Sequence, residues 1–386
     1  MEFSLSEQQR MVRQMVREFA AEKVRPGAAA RDEEGRFAAE VLAEMASLGL
    51  LGMLVPEEYG GAGLDVLSYA LAIEELARVD AAVAVTMSVT NSVCQWPILH
   101  FGSDEQKRRL LPPLAGGTIL GGIMLTEADA GSDLAAMRTG YRRQGDRFVL
   151  DGAKAWITNA GVARTFVVLA TRDAALGARG ISAFVLDAAQ PGVIVHAPEK
   201  KMGLRSSVTC AVSLDGAEVP AENLLGSEGD GMKIALATLD HSRIGIAAQS
   251  LGLAQGAVDE TLRFTRQRHS FGRALVDHQA VAFRLADMDT ELEAARCLTY
   301  RAAWLSEQPG RHSRASAEAK LFASEVANRI AAAAVQLHGG YGYSREYGVE
   351  RIYRDVRVTT IYEGTSEVLR MVIARALRDL DTTAGE

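Results

Sequence analysis

Only three cysteines occur in 386 residues, and Cys94, Cys210 and Cys297 lie far apart with no CxxC pair. An odd, scattered set argues against both a disulfide framework and a zinc site, and fits a reducing compartment. The seven histidines are dispersed and no HExxH occurs. A histidine such as His100 or His338 therefore reads as structural, and no metal is expected. No uninterrupted apolar run approaches the roughly 18 residues of a membrane helix. Met1-Glu2-Phe3-Ser4 opens an acidic and basic helical pattern, not a charged-then-apolar signal. Net positive charge is missing too: the formal net charge is −7, so nothing favours nucleic acid as a partner. What remains is an ordinary globular composition, 48% hydrophobic and 24% charged. The chain reads as cytoplasmic and long enough for about two or three domains.

The first third looks helical. Ser6 and Gln9 have capping-box spacing, Met11, Val12, Met15, Val16 and Phe19 recur at helical intervals, and Pro26-Gly27 is expected to end that helix. Further helical patterns cover 38–50, 66–78 and 105–111, the last before Pro112-Pro113. Tyr59-Gly-Gly-Ala-Gly63 lacks both the lysine of a P-loop and the GxGxxG spacing, so it reads as a turn. Near Leu120 the pattern changes to short β-branched or alternating runs at 147–150, 154–158, 165–171, 181–186, 193–196 and 209–214. The pairs Asp151-Gly152 and Asp215-Gly216 punctuate them as expected turns. No long helix separates the runs, which predicts an antiparallel or barrel-like sheet. Long helices return at 231–268, 279–306 and 313–338. The fold expected is α+β and multidomain: an N-terminal helical domain (1–118), a middle antiparallel β domain (119–228) and a C-terminal helical bundle (229–386). Disorder is expected only in the tail 381–386.

The segment Ile361-Tyr362-Glu363-Gly364-Thr365-Ser366-Glu367 is the most informative. It places a carboxyl group between a bulky aromatic and a glycine. Shielding from water raises a carboxyl pKa and makes a usable base near neutral pH. The same residues also suit a turn into a final helix, with Thr365 or Ser366 as N-cap.

Four further segments, in order, resemble the acyl-CoA dehydrogenase family of flavoenzymes. They are Leu125-Thr126-Glu127-Ala128-Asp129-Ala130-Gly131-Ser132-Asp133, Trp156-Ile157-Thr158-Asn159, Arg268-His269-Ser270-Phe271-Gly272 with Asp277-His278-Gln279, and Gln336-Leu337-His338-Gly339-Gly340-Tyr341-Gly342-Tyr343. Each has its own physical sense. Gly131 and Ser132 allow close backbone approach and offer a hydroxyl; Trp156 is a stacking surface; Arg268 and Gly339-Gly340 sit where helices end and would serve as caps.

The resemblance implies FAD as cofactor, touched by Ile123, Leu125, Thr126, Gly131, Ser132, Trp156, Ile157 and Thr158, with Thr365 and Glu367 nearby. It implies that Arg268, Ser270, Phe271, Gln279, Gln336, Gly339 and Gly340 serve the FAD of a neighbouring subunit, so that a homo-oligomer, in this family usually a tetramer, is required. Substrate binding falls to Ser132, Asp240, Arg243 and Gly364, though Asp240 and Arg243, three apart on one helix face, would also make a simple ion pair. Glu363 is the implied catalytic base for α,β-dehydrogenation of an acyl-CoA to the trans-2-enoyl-CoA, the β-hydride passing to flavin N5. Some relatives place their base just before the arginine on the Asp240 helix; here that residue is Ser242, which leaves Glu363. An electron-transfer flavoprotein is the implied acceptor, and an acyl-CoA oxidase on the same scaffold is the alternative. Family members usually have Pro-Gly where this chain has Ala128-Asp129. Decarboxylating glutaryl-CoA relatives carry an arginine near positions 84–86, where this chain has Ala84, Val85 and Thr86, so a dicarboxylic substrate is disfavoured. The stretch 88–96 is expected to line the acyl pocket, with Trp96 shortening it towards short or short-branched chains.

Overall fold

A computed structural model describes residues 4–379; the expectations for Met1–Phe3 and for 381–386 lie outside them. Seven helices come first: α1 (Glu7–Phe19), α2 (Arg25–Glu34), α3 (Ala39–Ser47), α4 (Val66–Ala77), α5 (Ala81–Val89), α6 (Trp96–Phe101) and α7 (Asp104–Ala115). Ser6 starts α1 with the full capping box, its hydroxyl accepting from the Gln9 N–H and the Gln9 side chain accepting from Ser6. Pro26 does not end this helix. A π-helical run, Ala20–Val24, leads straight into α2, where Pro26 stands in the first turn and needs no N–H donor. The stop comes at Gly35, in the left-handed region at φ 62°. Pro112 and Pro113 likewise lie inside α7.

The middle region is one eight-stranded sheet made of β1 (Gly121–Met124), β2 (Gly140–Gln144), β3 (Arg147–Thr158), β4 (Thr165–Thr171), β5 (Ile181–Asp187), β6 (Val193–Pro198), β7 (Thr209–Pro220) and β8 (Leu224–Leu225). Its order is β6-β7-β3-β2-β4-β5-β8, antiparallel apart from β1 on β4 and a single parallel pairing of β2 with β4. Asp151-Gly152 and Asp215-Gly216 are not turns. They lie within β3 and β7, and the register shifts there: Leu150 faces Ala217, whereas Gly152 faces Leu214. The positive φ of Gly152 and Gly216 serves a bulge in a continuous ladder.

The C-terminal region holds α8 (Gly231–Gln267), the small ribbon β9 (His269–Ser270) and β10 (Arg273–Ala274), then α9 (Gln279–Ser306), α10 (Ser313–His338), α11 (Gly348–Val356) and α12 (Ser366–Arg378). α8 and α10 share the largest helix–helix interface. Buried Ala317, Ala319, Ala323, Ala327, Ala331 and Ala334 on α10 let the two backbones approach closely.

The three regions meet at the loop before β7. Leu204, at φ 47°, donates its N–H to the buried Asp355 carboxylate at 2.6 Å. Arg354 donates to the Met202 carbonyl and pairs with Asp32 at 2.7 Å, while Arg205 reaches the Glu33 carbonyl at 2.9 Å. Gly203 is required there, because a Cβ would lie 2.3 Å from the Arg354 carbonyl oxygen.

Candidate active site

Between α11 and α12 the chain makes a tight turn in which Glu363 (φ 54°) and Gly364 (φ 92°) are both left-handed. For a glutamate such backbone costs of order 1–3 kcal/mol, so its surroundings must hold it. They do so from two helices. On α8, the Ser242 hydroxyl donates to Glu363 Oε2 at 2.5 Å, and Arg243 Nε lies 3.4 Å from the Glu363 carbonyl. On α10, Lys320 Nζ donates to the Gly364 carbonyl at 2.7 Å. The Tyr362 hydroxyl donates to Gln249, and Thr365 caps α12 by accepting from the Val368 N–H at 3.3 Å. Burial pushes the Glu363 carboxyl pKa up, opposed by the Ser242 hydrogen bond and by the cations Arg243 and Lys320. Among the described residues the Glu363 N–H has no hydrogen-bond acceptor, and it is free to donate to a ligand.

Arg243 is buried and pairs with Asp240 at 2.6 Å, whose other oxygen accepts from Ser313. Between them His241 is buried against Trp96, with ring centroids 5.0 Å apart, and Trp96 stacks in turn on His100 at 4.1 Å. Burial lowers the His241 pKa to about 3, so it is a neutral packing group.

Leu125, Thr126 and Trp156 are brought together by the sheet. The Ala155 N–H donates to the Thr126 carbonyl at 2.9 Å, next to a buried ion pair of Lys154 with Glu127 at 2.8 Å. Burial alone would raise the Glu127 carboxyl; Lys154, Thr139 and the Arg138 N–H outweigh it and hold its pKa below the usual range. Ala128-Asp129 forms the tip of a small turn closed by two backbone hydrogen bonds between Glu127 and Ala130. Pinned at Glu127, this loop needs no proline for its shape. Gly131 and Ser132 are exposed beyond it. Trp156 is left-handed at φ 61° and 62% exposed, so its indole has an uncovered face. Ile123 and Thr158 are half-buried, whereas the Ile157 side chain is in the core, which leaves only backbone to offer a ligand.

A separate group forms at the far end of α8. Arg268 caps that helix and its guanidinium lies 5.3 Å from the Tyr341 ring centroid. Ser270 is held through its carbonyl by His278 Nε2 at 3.0 Å, and Phe271 is left-handed (φ 49°) and 95% exposed. Gln279, Gln336, Gly339 and Gly340 are exposed beside it or on the adjoining end of α10. No hydrogen bond among the described residues joins this group to the Glu363 turn. Arg268 stands 25 residues beyond Arg243, which is roughly 38 Å at 1.5 Å per residue. Glu367 is exposed on the first turn of α12.

Sequence reasoning missed Lys320. It occupies the buried, alanine-rich stripe of α10, with Ser316, Ala323 and Ala327 at helical spacing. A lone lysine in such a stripe was the available signal.

The residues fit a dinucleotide that carries a planar ring system. A Cβ added at Gly131, Gly339 or Gly340 would meet nothing within 4 Å, and the Trp156 indole is bare. A helix–sheet–helix protein with a shielded carboxyl on a strained turn and open glycine-bearing loops is of the flavoenzyme type. The acyl-CoA dehydrogenase N-terminal, middle and C-terminal domain models match residues 6–118, 122–217 and 229–378. The short-chain specific acyl-CoA dehydrogenase of Clostridium acetobutylicum is 46% identical over 374 residues, 97% of this chain and 99% of that one. The solved butyryl-CoA dehydrogenase of Megasphaera elsdenii superposes with TM-score 0.96 at 44% identity, covering 98% and 100% of the two chains. A chain solved in work on the electron transferring flavoprotein of Acidaminococcus fermentans and flavin-based electron bifurcation gives TM-score 0.97 at 45% identity, covering 98% and 100%. A glutaryl-CoA dehydrogenase of Mycobacterium smegmatis, 32% identical with TM-score 0.92 and covering 98% and 96%, is solved in complex with FADH2. This chain belongs to the acyl-CoA dehydrogenase family, whose members are FAD-dependent oxidoreductases.

Proposed function

We propose that this enzyme converts a short-chain acyl-CoA to the trans-2-enoyl-CoA, with Glu363 as the base that takes the α-proton. The observation that carries the reading is the Glu363 turn: a carboxyl whose pKa burial raises, on backbone held in place by two helices. An α C–H beside a thioester is a far weaker acid than a carboxylic acid, so a basic carboxylate must act together with stabilisation of the developing enolate oxygen. The unpaired Glu363 N–H supports that second role, placing base and oxyanion donor on one residue. Asp240 and Arg243, with Ser132 and Gly364, would orient the thioester and coenzyme A. Trp96, fixed between His100 and His241, supports a short acyl chain.

Ile123, Leu125, Thr126, Gly131, Ser132, Trp156, Ile157 and Thr158 would hold FAD, with Thr365 and Glu367 at its edge. FAD, when bound, supplies the acceptor for the hydride leaving the β-carbon. Arg268, Ser270, Phe271, Gln279, Gln336, Gly339 and Gly340 would serve the FAD of a neighbouring copy in a homotetramer; their separation from Arg243 along α8 supports this. The Acidaminococcus neighbour supports an electron-transfer flavoprotein as acceptor. Three free cysteines support a cytoplasmic setting, and no helix of the described residues is long and apolar enough to cross a membrane. The test is anaerobic reduction of the purified yellow protein by saturated acyl-CoAs of graded length and branching, followed by dye-linked turnover. Four-carbon substrates are expected to be best, with slow reoxidation in air. Rapid peroxide formation would turn the reading to an oxidase, and a colourless protein unable to take up FAD would end it.

A further inference from the structure

We infer that Lys320 is a positioning residue for the base, its buried ammonium clamping the Gly364 carbonyl so that the left-handed pair Glu363-Gly364 keeps one geometry. Lys320 is fully buried on α10, yet no ion pair within 4.0 Å neutralises it among the described residues, and its recorded hydrogen bond goes to the Gly364 oxygen at 2.7 Å. A lysine buried in an alanine stripe with no carboxylate in direct contact is unfavourable unless the amine has a task. The peptide it holds is the one that joins the strained turn to the N-cap Thr365. Arg243 meets the preceding carbonyl, that of Glu363, from the opposite helix. Successive carbonyls are thus gripped by cations from α8 and α10, and the turn between them cannot rotate without breaking one grip.

The second consequence is electrostatic. Glu363 is faced by Arg243 and Ser242 from α8, Lys320 from α10, Tyr69 from α4 and its neighbour Tyr362. Lys320 is itself faced by Glu363, Arg243, Glu325 and Glu367, and burial lowers its pKa to about 7. Loss of the ammonium removes one of two cations that favour ionised Glu363, so the base should titrate at higher pH.

The inference rests on Glu363 being the base, and the experiment separates the two. In the FAD-loaded enzyme, Lys320→Met is expected to lower kcat about 100-fold, to change KM less than about threefold and to move the limb of the pH profile belonging to the base upward. Lys320→Gln, which retains a donor but no charge, is expected to recover about tenfold of that kcat while keeping the displaced limb. Should Lys320→Met not accumulate as folded protein, Lys320→Gln alone carries the test through its displaced limb. A merely structural lysine would change melting temperature and yield but leave both kcat per bound flavin and the limb where they were, which would overturn the inference. If Glu363→Gln also keeps normal turnover, the proposed function fails; if Glu363→Gln is inactive while the Lys320 variants behave as the parent, only this inference fails.

Discussion

Two acids in this molecule stand beside left-handed, non-glycine backbone. Glu363 carries the positive φ itself, while Asp355 accepts the N–H of Leu204, which has it. Burial raises the pKa of both, that of Asp355 to about 7. Their surroundings nevertheless differ in kind. Asp355 is enclosed where three regions meet and its carboxylate holds a loop. Glu363 is half-buried, its carboxylate meets a hydroxyl, and its own N–H is unused. The contrast teaches that a displaced pKa marks desolvation, and that a free donor and partial access are what set the acid proposed as the base apart from one that only holds a loop.

The contrast predicts opposite responses to substitution. Glu363→Gln should keep its bond from Ser242 and its melting temperature while losing turnover on the order of 10⁴-fold; stopped-flow reduction together with calorimetry checks this, and near-normal turnover would erase the distinction. Asp355→Ala should do the reverse. An unsatisfied Leu204 N–H costs about 1–3 kcal/mol, read as a lower urea midpoint, with kcat per folded molecule retained. The sign of the pH effect is also fixed. Folded Asp355 has a pKa of about 7 against 3.8 for an ordinary aspartate, so the native state binds the extra proton. Stability therefore falls as pH rises from about 4 to about 7, by at most about 1.4 kcal/mol per pH unit for one group. Asp355→Asn should flatten that stretch of the urea-midpoint profile, and an unchanged slope would assign it elsewhere. The smallest effect is expected for Ser242→Ala. Losing a hydrogen bond to the carboxylate should shift the base limb of kcat/KM to higher pH by a fraction of a unit, with the plateau altered severalfold; a downward shift would mean that Ser242 stabilises the neutral acid.

Much of the architecture was legible because burial imposes a period. The helices expected at 279–306 and 313–338 match α9 and α10, and the strand at 165–171 matches β4. The errors have a common cause, since one backbone requirement serves several structures. Asp-Gly supplies positive φ to a turn or to a bulge, and the β3–β7 ladder uses it for the latter. Proline suits the first turn of a helix as well as the residues after one, which hid the continuation into α2. Glu363 was readable because Tyr362 and Gly364 announce shielding and a turn. Lys320 was not, since only folding reveals that its face of α10 packs against α8 and that its amine ends at a carbonyl 44 residues away.

The junction around Met202–Arg205 has a consequence for evolution as well as for melting. Arg354 grips the middle region by its Met202 carbonyl and the N-terminal region by Asp32, so no region can open without releasing charges from the other two. Three modules recognisable in sequence should therefore melt in one cooperative transition. A chimera that imports a relative's sheet should fold only when that relative's loop also presents a glycine and a free carbonyl to the arginine.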